Sequence, residues 1–154
     1  GARAAGIPVV SVRIAFRPDR ADLPTNAPIF RDVARLGAVQ EGSWGAEFLD
    51  GLGPLAGEAG VTHGRIGAFS GTALHGDLQR LGARRLIVAG VSTTSVVLTT
   101  VGQAVDLGYE VAVARDACSA GRQDLHDAAL EIMGLVAAVL PVDEALRQAA
   151  RSGA

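Results

Sequence analysis

The chain of 154 residues contains no lysine, so all 14 of its basic side chains are arginines. Any mechanism that depends on a lysine ammonium group must do without it in this sequence. There is also only one cysteine, Cys118. A single cysteine excludes an internal disulfide framework and favours a reducing compartment, so we expect a cytoplasmic protein.

Charged residues are also few, at 19% of the chain, with a formal net charge of −2. The arginines are scattered, whereas a nucleic-acid partner requires a clustered positive field, so we expect none. The longest apolar run, residues 132–142, is about half of the roughly 20 residues that a membrane span needs. The first residues resemble a strand and not a signal peptide. We therefore expect no membrane partner.

Hydrophobic residues make up 49% of the chain, which is enough for one buried core and predicts a single domain over residues 1–154. Short β-branched runs alternate with segments of helical periodicity. This alternation predicts a three-layer, Rossmann-like α/β fold in which helices cover both faces of a parallel sheet. The predicted strands are 7–16, 85–90, 110–114 and 137–140; the predicted helices are 29–36, 71–81, 92–107, 124–133 and 143–151.

In such a sheet, ligands bind beyond the carboxyl ends of the strands. That rule selects the loop after Phe16, the segment 63–72 and the turn 90–95. The turn is the best candidate because Gly90 permits a sharp bend and hydroxyl side chains follow it at a predicted helix N-terminus. Its backbone N–H groups could hold a carboxylate, a phosphate or a developing oxyanion. The alternative is that these hydroxyls only cap the helix.

Two catalytic arrangements remain open at this point. The turn resembles a nucleophile elbow, with Ser92 followed along the chain by Asp116 and His126, although Thr94 replaces the second glycine of that motif. Cys118 follows a strand and is either a reactive thiol or a small buried filler. The three histidines are dispersed without metal-ligand spacing, so we expect neither a metal site nor a cofactor.

Several sequence blocks together resemble the isochorismatase-like family, also called the cysteine hydrolases. The most specific block is LIVAGVST at 86–93, which is followed by AVDLGYEV at 104–111 and DAC at 116–118. Supporting matches are GIPVV at 6–10, VT at 61–62, AFSGTAL at 68–74 and His126. The resemblance implies a Rossmann-like parallel sheet, hydrolysis of an amide or a vinyl ether, no cofactor, and a homo-oligomer.

The family's catalytic set is an aspartate, a lysine and a cysteine, and each position is altered here. Val96 occupies the cysteine position and His63 the lysine position. The strand that carries the aspartate would precede Gly1, so we expect an N-terminal central strand to be missing from this sequence. The resemblance also implies a cis peptide between Val91 and Ser92.

Two hypotheses follow. In the first, the chain is an isochorismatase-like hydrolase of a small, possibly anionic molecule that works without a covalent cysteine. Its catalytic residues would be His63, acting as a cation or in proton transfer, and Ser92; vinyl-ether hydrolysis suits this set better than amide hydrolysis because it needs no nucleophile. The candidate substrate-binding residues are Phe16, Phe69, Val91, Thr93, Ser95 and Val96. In the second hypothesis, the chain is a catalytically degenerate member that binds a small molecule or forms an oligomer.

Overall fold

A computed structural model describes residues 1–151; the last three residues of the predicted domain lie outside this range. Within it, no helix combines the length and apolar character that crossing a membrane would require. The strands are β1 (Val10–Ile14), β2 (Ala59–His63), β3 (Arg85–Val91), β4 (Glu110–Ser119) and β5 (Ala138–Leu140). The helices are α1 (Pro28–Leu36), α2 (Leu74–Arg80), α3 (Leu98–Asp106), α4 (Gln123–Met133) and α5 (Val142–Arg151).

Every predicted strand and helix exists, but several boundaries differ. Strand β1 is shorter than predicted because Phe16 leaves it to pair with the 39–41 segment. Helix α2 begins at Leu74 and not at residue 71, because Gly71 has a left-handed φ of 72° and the Thr72 hydroxyl donates to the Ala68 carbonyl at 2.7 Å. The predicted helix 92–107 begins with a wider π-helical turn, Thr93–Val97, before α3.

The strands form two parallel sheets instead of the single sheet that the sequence predicts. One contains β1 and β2, and the other has the order β3-β4-β5. No ladder of hydrogen bonds joins them within residues 1–151. Strand β3 is paired with β4 on one side only, so its other edge is free of a strand neighbour. That a further central strand belongs in this break stays a prediction.

The two sheets share one hydrophobic core through α3. Val101 and Ala104 of this helix are completely buried, in one cluster with Val61 of β2 and Val111 of β4. The apolar face of this helix therefore packs against the protein's own strands.

Helix α3 also holds the loop that follows β2. The Thr100 hydroxyl accepts a hydrogen bond from the Ala68 amide at 3.1 Å, and Gln103 bonds to both Phe69 and Ser70. A Cβ atom at Gly67 would collide with the amide group of Gln103, so a larger residue there would displace the Gln103 side chain. The candidate ligand-binding loop is therefore held against α3 by side-chain hydrogen bonds.

The contribution of this core to the stability of the protein can be measured at Met133, the last residue of α4. Its side chain is completely buried, whereas the neighbouring Ile132 is 53% exposed. We expect Met133→Ala to lower the free energy of unfolding by about 2–5 kcal/mol, because it leaves a cavity among packed side chains. Ile132→Ala is the control and should cost less than half as much in urea unfolding. Equal losses for the two variants would contradict this packing.

Candidate active site

The turn after β3 has the shape that its sequence suggested. The Val91–Ser92 peptide is cis, which confirms the prediction from the family resemblance. The amides of Ser95 and Val97 both donate to the Ser92 carbonyl, at 3.3 and 3.1 Å, and close the first helical turn. The amides of Thr93 and Thr94 have no acceptor among the described residues. These two N–H groups are therefore donors that the turn can offer to a ligand.

Thr93 and His126 form a buried pair at this turn. The Thr93 side chain is completely buried, and its hydroxyl lies 2.9 Å from Nδ1 of His126 on α4. The sequence analysis assigned Thr93 to ligand binding and did not foresee this contact. The hydrogen bond joins the turn to α4, so the Thr93 hydroxyl is occupied within the protein.

The nucleophile elbow proposed from the sequence is not formed. Ser92 Oγ bonds to the Thr94 hydroxyl at 2.9 Å and not to a histidine. His126 is bonded to Thr93, and Asp116 accepts the backbone N–H of Val142 at 2.7 Å. An activated serine needs a base within hydrogen-bond reach, and that base needs a partner that orients it. Ser92 therefore lacks the arrangement that would make it a nucleophile.

Cys118 lies beside the same turn, because it pairs with Gly90 in the β3–β4 ladder. Burial raises the pKa of its thiol; a backbone hydrogen bond with Gly90 opposes this, and the negative charge of Asp116 raises the pKa further. The thiolate is the reactive form of cysteine, so a raised pKa makes the side chain inert at neutral pH. The structure favours the interpretation of Cys118 as a small packing residue.

His63 is the last residue of β2, and only 3% of its surface is exposed. Its Nδ1 lies 2.7 Å from the carbonyl oxygen of Arg65. Because a carbonyl oxygen only accepts hydrogen bonds, Nδ1 carries the proton and Nε2 of the neutral ring keeps its lone pair. Burial lowers the pKa of His63, and the hydrogen bond to Arg65 opposes this only in part. His63 is therefore neutral at pH 7 and does not supply the cation that its position suggested.

A cavity of about 760 Å³ opens at the carboxyl ends of β1 and β2. The loop 21–24 forms one wall, and Gly64, Arg65, Ser70 and Gly71 form the other. The Arg65 guanidinium donates from Nη1 to the carbonyls of Gly64 and Asp22. Sequence analysis selected the segment 63–72 but did not single out Arg65; its position two residues after the strand-end histidine was the signal available.

The remaining candidate binding residues are dispersed. Phe16 is completely buried and packs edge-on against Phe30, so its side chain belongs to the core. Phe69 stacks on Tyr109 with ring centroids 6.1 Å apart. Val91 is 73% exposed, whereas Ser95 and Val96 are half-buried within the π-helical turn. None of the turn residues lines the cavity beside Arg65.

Comparison with known proteins identifies the family. The profile of the Isochorismatase domain matches residues 1–144. The chain belongs to the isochorismatase family. A solved structure, an isochorismatase-like hydrolase from Alkaliphilus metalliredigens, superposes with a TM-score of 0.80 at 26% identity. The match covers 92% of this chain and 73% of that one.

Two curated relatives are similar in sequence. The uncharacterized isochorismatase family protein YecD of Escherichia coli O157:H7 is 32% identical over 148 residues, which are 94% of this chain and 75% of YecD. A probable inactive nicotinamidase of Arabidopsis thaliana is 38% identical over 98 residues, which are 61% of this chain and about half, 49%, of that protein. These matches place the chain in a hydrolase family without identifying its substrate.

The protonation state of His63 can be measured through stability. Because its pKa is lower in the folded state than in the unfolded chain, the unfolded state binds more protons between the two values. The stabilisation contributed by neutral His63 is complete above the unfolded pKa of about 6.5 and is lost as the pH falls toward the folded pKa. We therefore expect the cost of His63→Gln, measured by urea unfolding, to shrink between about pH 7.5 and pH 5. A cost that grows on acidification would mean that His63 is a cation in the folded protein.

Proposed function

We propose that this chain is a hydrolase of a small molecule that cleaves its substrate with activated water and without a covalent cysteine intermediate. The observation that carries the proposal is the buried, neutral imidazole of His63 at the carboxyl end of β2. The Arg65 carbonyl orients the ring through Nδ1, which leaves Nε2 as a proton acceptor. General-base catalysis of this kind contributes about 10²–10⁴-fold to a rate.

Covalent catalysis has little support from the side chains near the turn. Val96 occupies the position where the family resemblance places the nucleophilic cysteine, and a valine side chain cannot attack a carbonyl. Cys118 has a raised thiol pKa and Ser92 has no base. In the proposed mechanism, the amides of Thr93 and Thr94 stabilise negative charge that develops on the substrate oxygen.

The charge state of His63 also affects which bond of a substrate the protein could cleave. Vinyl-ether hydrolysis begins with protonation of carbon and therefore needs an acid, whereas amide hydrolysis by water needs a base. Since His63 is neutral at pH 7, we propose a carbon–nitrogen amide bond ahead of a vinyl ether. Water forms the new C–O bond and its proton passes to Nε2. Nε2 then returns that proton to the substrate nitrogen, which leaves as ammonia or an amine when the C–N bond breaks.

Activity of the whole protein tests this mechanism. We expect release of ammonia from a small primary amide to survive both thiol alkylation and Cys118→Ala, because no thiol takes part. His63→Gln should lower kcat by about 100-fold or more, since glutamine retains hydrogen bonding but cannot accept the proton. The vinyl ether of isochorismate is the comparison substrate, assayed by the 2-oxo acid it releases. Inactivation by alkylation in step with modification of Cys118 would refute the mechanism.

The second candidate function is that of a degenerate, non-catalytic member that binds a small molecule. Val96 and His63 both replace family catalytic residues, and the Arabidopsis relative is named a probable inactive nicotinamidase. Saturable binding of small amides without turnover of any of them would favour this alternative over the hydrolase.

We further propose that the chain functions as a homo-oligomer in the cytoplasm and without a nucleic-acid or membrane partner. The long loop before β2 presents a set of large apolar side chains to solvent, each more than half exposed: Trp44, Leu49, Leu52 and Leu55. Covering this set with a second copy would remove the apolar surface from water.

Trp44 reports directly on this proposal, because it is the only tryptophan and is 87% exposed in a single chain. We expect light scattering to show at least a dimer at micromolar concentration and Trp44 emission to shift to the red on dilution. Trp44→Ser should favour the monomer, whereas Leu135→Ser, at a residue 84% exposed outside this loop, should not. A monomeric wild-type protein would contradict the proposal.

A further inference from the structure

His126 lies against the turn after β3, although it belongs to α4 and is 33 positions further along the chain than its partner there. That partner is Thr93, whose hydroxyl is 2.9 Å from Nδ1 of the imidazole and whose side chain is completely buried. His126 itself is half-buried, and the proposed hydrolysis does not use its imidazole as an acid or a base. The histidine is thus bonded to a residue whose backbone N–H is one of the two free donors of the turn.

The direction of this hydrogen bond follows from the surroundings of the hydroxyl. Among residues 1–151, His126 is the only hydrogen-bond partner of the Thr93 hydroxyl. A buried O–H group without an acceptor is costly, so the hydroxyl donates and Nδ1 accepts. The proton of the neutral ring is therefore on Nε2.

The hydroxyl groups beside the two free amides are engaged with other side chains. At the start of an ordinary helix, the hydroxyl of a residue such as Ser92 accepts a hydrogen bond from a backbone amide of the first turn. Here Ser92 Oγ is bonded to the Thr94 hydroxyl, and the Thr93 hydroxyl is bonded to His126. No side chain of residues 1–151 caps this turn. The amides of Thr93 and Thr94 stay open because the nearby hydroxyls are held elsewhere.

The turn has few other attachments to the rest of the protein. Strand β3 is paired with β4 alone, and this pairing ends at Val91. Within the described part of the chain, the bond from Thr93 to His126 is the only side-chain hydrogen bond from residues 92–97 to another element. The position of the turn relative to α4 therefore depends on this contact.

We propose that His126 is a positioning residue of the active site, which holds Thr93 so that the amides of Thr93 and Thr94 are fixed for negative charge on the substrate. This inference rests on the proposed function and deepens it by assigning the group that fixes those two donors. Donors that are already oriented stabilise developing charge better than donors that must first reorient. His126 acts through Thr93 and does not touch the substrate.

Two substitutions remove the bond from opposite sides. His126→Ala deletes the acceptor, and Thr93→Val replaces the hydroxyl with a methyl group of nearly the same shape. With the primary amide that the wild-type protein hydrolyses fastest, each should lower kcat by roughly 10- to 100-fold and leave KM nearly unchanged, because a misplaced donor matters most in the transition state. The double variant should lose no more than the larger single loss, since both changes break one interaction.

His126→Asn is the rescue variant. The asparagine Oδ1 lies close to the position of Nδ1 and accepts a hydrogen bond, but the side chain does not take up a proton. Because His126 acts only as an acceptor for Thr93, this variant should keep most of the wild-type kcat. A His126→Asn variant as slow as His126→Ala would contradict the positioning role.

His75 on α2 offers a matched control, because it is also half-buried and its Nδ1 is also 2.9 Å from a hydroxyl, that of Tyr109. His75→Ala should lower stability in urea unfolding, as His126→Ala does, but leave kcat unchanged. Equal losses of kcat for the two alanine variants would reveal a general effect of lowered stability and would overturn the proposal.

NMR of the free protein tests the positioning without a substrate. At about pH 8, where an ordinary imidazole is neutral, the nitrogen spectrum of His126 should show a proton on Nε2 and none on Nδ1. The backbone amide signal of Thr94 should shift in His126→Ala and in Thr93→Val, and stay near its wild-type position in His126→Asn and in His75→Ala. A proton on Nδ1, or a Thr94 signal that neither of the first two variants moves, would overturn the inference.

These measurements separate the inference from the proposed function. A shifted Thr94 amide without hydrolysis of any primary amide would leave the positioning of the turn standing and remove the hydrolase. Hydrolysis that continues at full kcat in His126→Ala would do the reverse.

Discussion

The burial of α3 is the constraint on which the rest of the structure depends. The two parallel sheets share no ladder of hydrogen bonds, so strand pairing alone would not hold them in register. Val101 and Ala104 of α3 join them through a common apolar cluster, and Thr100 and Gln103 fasten the loop after β2 to the same helix. The turn at the start of this helical segment and the cavity wall at 64–71 are therefore positioned by one element, although they follow strands of different sheets.

Burial also changes the chemistry at the end of β2. An exposed lysine at this position would be a permanent cation, whereas a histidine 97% buried loses its charge because water no longer stabilises it. Two residues later, Arg65 retains a charge that histidine cannot supply, since a guanidinium stays protonated at neutral pH. The imidazole and the guanidinium are thus separate side chains, and a hydrogen bond from Nδ1 of His63 to the backbone carbonyl of Arg65 joins the two residues.

The parts of the site that sequence analysis predicted well are those set by local chain geometry. The order of strands and helices follows from short periodic segments, and the sharp turn follows from Gly90. The cis peptide at Val91–Ser92 was predicted from the family resemblance, which rests on the specific pattern at 86–93. Interactions between distant segments were not predictable in the same way. The Thr93–His126 bond joins residues 33 positions apart, and the elbow hypothesis assigned His126 to Ser92 instead. Chain order alone does not say which of two adjacent hydroxyls faces α4.

The sequence by itself determined the class of fold and the chemical inventory: parallel strands alternating with helices, no lysine and one cysteine. These follow from composition and from periodicities that span only a few residues. Tertiary structure decided which of those groups are charged, accessible or paired. It placed Phe16 in the core, withdrew His63 from water and left Arg65 without a carboxylate partner among residues 1–151. Desolvation and ion pairing depend on neighbours that the fold brings from elsewhere in the chain, so no reading of local residues could have decided them.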